Sequence, residues 1–330
     1  MAILRLISFA LGLICSFSFA GQNSVWIIGE KTVSFYSPNQ EVQTLEGISA
    51  QSSLVDPKTC HLWVQSQEGL LQIFPSLKVQ TKTTSKEKIL GSEILEDFFI
   101  TFSDTSWTVR ALSGDPVRSF PSLASQPVGL QGNKQIGFWS LQFDREENHL
   151  DLIHFDEFGK LLWSKPVSQS AELWSLPKLI LIPALDQIWI GFTASSTTHA
   201  YSPMVELWTT NGERVKKYPF SDRGLLLDTC TTPNQDFLLA RDIPSSPYTV
   251  PLFSFIELLS PSEKPKLLYQ AFDNYLISSL QCSSDGFWVL QKSVLGGQKP
   301  LLVELSGQMQ EKIVHSLKEP AWKIHACSLQ

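Results

Sequence analysis

The chain has 330 residues, of which 43% are hydrophobic, 11% aromatic and 18% charged; this excludes a disordered chain and supplies ample material for a core. Its formal net charge is −6 with no basic cluster or basic arm, so nucleic-acid binding has no electrostatic footprint. The length fits two ordinary domains or one large all-β domain, and the internal pattern has to decide between them.

The chain opens with Met1 to Arg5, continues in an apolar run from Leu6 to Phe19, and reaches Ser-Phe-Ala before Gly21. One positive charge, a short apolar stretch and small residues at the cleavage positions read as a secretory signal over 1–20, cut after Ala20. The run is too short for a comfortable membrane span. Cys15 does not sit in a lipoprotein signal, because Ile14 stands where a small residue is needed. Residues 21–330 are therefore expected to form a single exported domain, periplasmic or secreted. The lack of an Asn-X-Ser/Thr acceptor in that stretch points toward a bacterial envelope.

From residue 21 onward one motif recurs, an apolar residue, usually a Trp, and another apolar residue. It is centred at Trp26, Trp63, Phe99, Gly137, Trp189, Leu238 and Trp288, at spacings of roughly 35–50 residues that suit four-stranded units. Each copy is followed by a second β-like run and a turn, most clearly in "VELWTTNGE" from Val205 and "VELSGQ" from Val303. A third run follows the turn, and a further apolar segment precedes the next motif. β-branched and aromatic enrichment with frequent turn residues predicts strands throughout. The four strands of a unit are named A to D, beginning at the segment before the Trp motif. The first unit lacks an A strand, whereas the final "AWKIHACSLQ" is an A strand with nothing after it. The two fragments complete one another. The expected architecture is all-β, a seven-bladed β-propeller whose ring is closed by the C-terminal strand completing the first blade.

The stretches "HLWVQSQEGLLQIF" (His61–Phe74) and "QIWIGF" (Gln187–Phe192) resemble the bacterial sensor-type and NHL-like propeller repeats, and "FDEFGKLLWSKPV" (Phe155–Val167) resembles one repeat of the quinoprotein-like propellers. The quinoprotein likeness is confined to one unit, so it implies no quinone. No cofactor is expected.

Four cysteines follow the signal: Cys60, Cys230, Cys282 and Cys327. An even number in an exported chain allows disulfides, in three connectivities. All four fall at the end of an A strand or in the A–B turn of units two, six, seven and one, which are consecutive around a closed ring. Cys60 with Cys327 and Cys230 with Cys282 would then link neighbouring blades, provided their Cα atoms come within about 7 Å. The alternative is four buried free thiols filling space near the axis.

No metal-type His pair and no hydrolase, phosphate-loop or EF-hand signature is present. His154 and His325 alternate within strands and read as packing residues. Trp26, Trp63, Trp189 and Trp288 read as core between blades, not as a stacking platform. The asymmetry lies in the B–C connections, short in the first units and longer in "DREENH", "TASSTTHAYSP", "RDIPSSPYTVP" and "KSVLGGQKP". Such loops from four consecutive blades form an arc on one face, and loops on a rigid scaffold are where binding residues gather. Glu146, His149, His199, Tyr201, Arg241, Asp242, Tyr248 and Lys299 are the candidate binding residues. The expected function is a binding or scaffold protein that engages a protein or peptide partner at the cell envelope. Two alternatives stand beside it: a hydrolase or lyase with an axial metal, and carbohydrate binding through exposed tyrosines such as Tyr201 and Tyr248.

Overall fold

Short runs of alternating apolar residues, each closed by a turn, build strands that pair only with their neighbours in sequence. The computed structural model describes residues 22–37, 41–50, 52–56, 59–66, 69–83, 91–95, 98–103, 106–111, 113–121, 127–133, 137–144, 149–168, 177–182, 185–194, 202–220, 224–232, 234–244, 251–260, 264–283, 285–294 and 297–329. All the regular elements among them are strands, arranged as seven four-stranded antiparallel sheets. The molecule is a seven-bladed β-propeller.

Blade 1 contains β1 (Gln22–Gly29), β2 (Thr32–Tyr36) and β3 (Gln43–Glu46). Blade 2 contains β4 (Ser52–Val55), β5 (Leu62–Ser66), β6 (Gly69–Ile73) and β7 (Val79–Thr83). Blade 3 contains β8 (Gly91–Leu95), β9 (Phe98–Phe102), β10 (Ser106–Ala111) and β11 (Pro116–Pro121). Blade 4 contains β12 (Pro127–Asn133), β13 (Gly137–Asp144), β14 (His149–Phe155) and β15 (Leu161–Ser168). Blade 5 contains β16 (Lys178–Ile182), β17 (Gln187–Ala194), β18 (Ser202–Trp208) and β19 (Arg214–Pro219). Blade 6 contains β20 (Leu226–Thr231), β21 (Phe237–Pro244), β22 (Pro251–Leu259) and β23 (Lys266–Gln270). Blade 7 contains β24 (Tyr275–Cys282), β25 (Gly286–Ser293), β26 (Leu301–Ser306) and β27 (Glu311–Ser316).

The last strand, β28 (Ala321–Leu329), pairs antiparallel with β1 from Gln22↔Leu329 to Gly29↔Ala321, and so supplies the missing A strand of blade 1. Each inner strand touches the inner strand of the next blade, from β4 and β8 round to β24 with β28 and β28 with β4. The ring is closed.

The cysteine pairs join Cys60 to Cys327 and Cys230 to Cys282, with Cα atoms 5.5 and 5.7 Å apart. Both separations are inside the bridging limit. The first bridge clips the closing strand to the A–B turn of blade 2, where the Trp26 indole N–H also donates to the Cys60 carbonyl at 2.9 Å. The second joins the inner strands of blades 6 and 7.

Between blades the core is aromatic. Trp26 packs with Val55, Leu62 and Val64 of blade 2, Trp139 with Ile188 and Ile190 of blade 5, Trp189 with Phe237 and Leu239 of blade 6, and Trp288 with Val25 and Ile27 of blade 1. Trp63 is equally buried, against Leu54 and Leu70. In blade 3 the indole comes from the C strand instead: Trp107 packs on Phe138 and Phe155 of blade 4. In blade 4 the core aromatic is Trp139, two residues beyond Gly137, a shift that keeps the same face of a period-two strand. The outermost strands are largely exposed and carry Pro116, Pro121, Lys165, Pro166, Lys216, Lys217, Lys266 and Lys312. Proline and lysine on an edge strand discourage pairing with another chain.

Candidate functional site

Strand lengths set the shape of the two faces. B–C connections span 30–31, 67–68 and 103–105 in blades 1 to 3, and 145–148, 195–201, 245–250 and 294–300 in blades 4 to 7. The hairpins beneath the longer connections extend with them. β13 pairs with β14 out to Asp144↔His149, β17 with β18 to Ala194↔Ser202, and β21 with β22 to Pro244↔Pro251. The hairpins of blades 4 to 6 therefore reach further than those of blades 1 to 3 on one face of the ring, whereas the β25–β26 ladder of blade 7 stops at Gln291↔Leu301.

His149 opens β14 at this rim, and its Nε2 lies 2.9 Å from Asp151 Oδ2, with both side chains a quarter exposed. Lys299 is exposed in the blade 7 connection, and its carbonyl accepts the Tyr275 hydroxyl at 3.1 Å. Arg241 and Asp242 lie inside β21 and are buried, because the hairpin ladder continues past them to Pro244. The Arg241 guanidinium grips Glu257 through Nε at 2.5 Å and Nη2 at 3.1 Å, and lies 5.0 Å from the Phe220 ring. Asp242 receives the Leu225 N–H on Oδ1 at 2.5 Å and donates its own N–H to the Leu225 carbonyl at 3.1 Å. Burial raises its carboxyl to about 6, with Leu225 and Arg241 opposing. These two residues fasten the connection entering blade 6. Glu146, His199, Tyr201 and Tyr248 lie outside the described residues.

The axis holds a second constellation. Inner strands β4, β12, β16, β20, β24 and β28 line a channel cavity of about 550 Å³. Asp228 on β20 accepts Ser279 Oγ at 3.1 Å and the Leu280 N–H at 3.0 Å from blade 7. Lys178 of blade 5 lies 3.1 Å and Lys323 of blade 1 lies 3.8 Å from the same carboxylate. Burial pushes this acid up, but Lys323, Lys178 and the Leu280 N–H outweigh it and hold it at about 2. His325 on β28 meets Ser53 Oγ of blade 2 at 2.9 Å, and burial with the nearby Lys323 charge lowers it to about 3. One carboxylate thus ties four blades together, beside a neutral imidazole joining two. Lys178, Asp228 and Lys323 escape a motif search because each stands alone in its own segment. Their signal is one charge in an otherwise apolar inner strand, as in "PKLILI", "LLLDTC" and "AWKIHAC".

No protein-family model matches the chain, and no curated protein matches it. Solved structures do resemble it. BBS1N, in complex with ARL6DN, aligns with a TM-score of 0.56 at 11% identity, covering 92% of this chain and 90% of that one. Virginiamycin B lyase from Staphylococcus aureus aligns with a TM-score of 0.56 at 11% identity, covering 82% and 84%. U3-55K aligns with a TM-score of 0.54 at 10% identity, covering 88% and 85%. At these identities the likeness concerns the propeller fold alone, a fold that hosts unrelated functions.

Proposed function

We propose that this chain is an exported, non-catalytic propeller that engages a protein or peptide partner at the cell envelope through the face carrying the long B–C connections. The observation that carries the reading is the run of longer B–C connections in four consecutive blades, 4 to 7, above hairpins that in blades 4 to 6 pair over more residues than those of blades 1 to 3. A rigid arc of adjacent hairpins offers a broad surface for a macromolecule, and His149 and Lys299 stand on it. Export is supported by the N-terminal apolar run and by two bridges that need an oxidising compartment. That BBS1N is seen in complex with ARL6DN is a precedent for a propeller that carries a partner.

The axial channel favours structural work over metal chemistry. A divalent cation at Asp228 would have to displace two ammonium groups and give up their attraction for the carboxylate. Photo-cross-linking in the native host tests the reading. A cross-linking side chain at position 299 should trap a defined partner, and one at position 157, in the C–D turn of blade 4 on the opposite face, should not. Equal labelling from both positions, or none from position 299, would count against the loop face.

A further inference from the structure

The two disulfides differ in what covers them. Cys60 and Cys327 are 0% and 6% exposed in the cluster that contains Trp26, Val55 and Leu62, and the Cys60 carbonyl accepts the Trp26 indole N–H at 2.9 Å. Cys230 is 8% exposed, but Cys282, the last residue of β24, is only partly buried. Both line the axial cavity of about 550 Å³, beside Thr231 of blade 6 and Gln281 of blade 7. A cavity of that size admits a small molecule and excludes a folded protein. Breaking this bridge would not part the two blades, because Asp228 still accepts Ser279 Oγ and the Leu280 N–H across the same seam. The ring would also stay closed, held by the β1–β28 ladder and the Cys60–Cys327 clip.

We infer that the Cys230–Cys282 bridge is a thiol-exchange site, at which a small-molecule thiol entering along the channel modifies Cys282, and that the Cys60–Cys327 bridge is closed to the same reagent. Access to sulfur is one of the factors that set which disulfide exchanges, and here it differs between the two bridges. Cys282 is the less covered partner and takes the attack. The electron pair of the incoming thiolate forms the new S–S bond, and the old bond breaks with its pair on the Cys230 sulfur, which leaves as a thiolate and takes up a proton. A second thiolate attacks the small-molecule sulfur of the mixed disulfide, frees Cys282 and departs as the small-molecule disulfide. Two electrons pass from the two thiols to the protein bridge. Blades 6 and 7 then stay in register without their covalent tether, so the tether answers to the thiol content of the surroundings. The inference goes beyond the loop-face reading and does not depend on it.

Graded glutathione on the folded chain with both bridges intact tests it, with freed thiols trapped by N-ethylmaleimide and the peptides read by mass spectrometry. Cys230 and Cys282 should be labelled at least about tenfold faster than Cys60 and Cys327, through a glutathione adduct on Cys282. The far-ultraviolet circular dichroism should not change meanwhile. Reduced thioredoxin, too large for the channel, should leave the bridge intact over the same period. Gln281→Trp narrows the channel beside Cys282 and should slow its labelling; should that variant not fold, Thr231→Phe serves in its place. A variant with residues 195–201 shortened should be labelled as the parent is, which separates this site from the loop face. Equal rates at the two bridges, faster labelling of Cys60 and Cys327, or reduction by thioredoxin as fast as by glutathione would overturn the inference. So would release of Cys230 and Cys282 only when the chain unfolds.

Discussion

Three buried titratable groups give opposite pH dependences, and each can be tested by substitution. Asp242 sits at about 6 when folded, above the ordinary aspartate value of 3.8, so the folded chain holds its proton longer than the unfolded one. Its contribution to stability is greatest below pH 4 and declines as pH rises through 6. Asp242→Asn keeps an oxygen for the Leu225 N–H and removes the buried charge. It should raise stability by about 1–3 kcal/mol at pH 7, and the gain should vanish at pH 4, as read by chemical denaturation at both pH values.

Asp228 is the reverse case. Its folded value of about 2 lies below 3.8, so its stabilisation is complete above pH 4 and is lost as pH falls toward 2. Asp228→Asn should cost about 2 kcal/mol or more at pH 7, because it leaves Lys178 and Lys323 facing one another across the channel. The lysines keep partial contact with water, which places the cost at the low end for a buried pair. An unchanged melting temperature would show that the four blades do not need this tie. His325 adds to the acid sensitivity, since it stays neutral in the fold down to about 3 while the unfolded chain binds a proton near 6.5.

At the scale of the strand, side-chain period decides what a sequence discloses. The Trp residues are legible as core because one indole per unit is what stacked sheets bury, and Trp26, Trp63, Trp189 and Trp288 are all almost fully buried. Trp288→Ala should cost roughly 3–5 kcal/mol, measured by denaturant unfolding, because it empties the interface against Val25 and Ile27. The likeness of "VELW" to "VELS" does not disclose register. Glu206 pairs across the ladder with Ile190, whereas Glu304 pairs with Trp288, so the two glutamates point to opposite faces of their blades. A slip of one residue leaves the sequence pattern looking the same. The burial of Arg241 and Asp242 is hidden for a related reason: Pro244 and Pro251 suggest a loop, yet the hairpin ladder extends to that pair.

The C–D turns show the same grammar resolved by packing. In blades 4 and 5 the turns end at Gly159 and Gly212, with φ of 76° and 80°, where a Cβ would come within 3.0 Å of the Phe120 ring and 3.1 Å of the Trp163 ring. Glycine there satisfies both a left-handed backbone and a close approach to a neighbouring aromatic residue. The disulfides operate at this scale as well. Cys60 and Cys327 are separated by 267 residues and Cys230 and Cys282 by 52, so loop entropy makes the first bridge worth about 1–2 kcal/mol more than the second. Cys60→Ser with Cys327→Ser should lower the denaturation midpoint further than Cys230→Ser with Cys282→Ser. The opposite order would show that closure does not rest on the clip.

For the whole molecule, the complementary fragments at the two ends make ring closure legible in the amino-acid sequence itself. The cysteines, three in inner strands and Cys60 in an A–B turn of consecutive units, narrow the pairing to Cys60–Cys327 and Cys230–Cys282, but only the Cα separations of 5.5 and 5.7 Å decide between bridges and free thiols. The axial cluster is not legible there, since Lys178, Asp228 and Lys323 come from three blades and meet only when the ring closes. A circular permutant that places residues 321–329 ahead of residue 22 should keep the fold and both bridges, because β28 already lies antiparallel beside β1. Deletion of β28 should instead open the ring and expose the blade 1 face to proteolysis.

The most direct test of the proposed function is quantitative cross-linking in the native host, comparing the parent chain with a variant in which residues 195–201 and 245–250 are each replaced by a two-residue turn. Arg241 and Asp242 are retained in the variant so that the strands beneath stay anchored. The account predicts a defined partner captured by the parent and lost from a variant that melts as the parent does. Equal capture of that partner by both forms would contradict it.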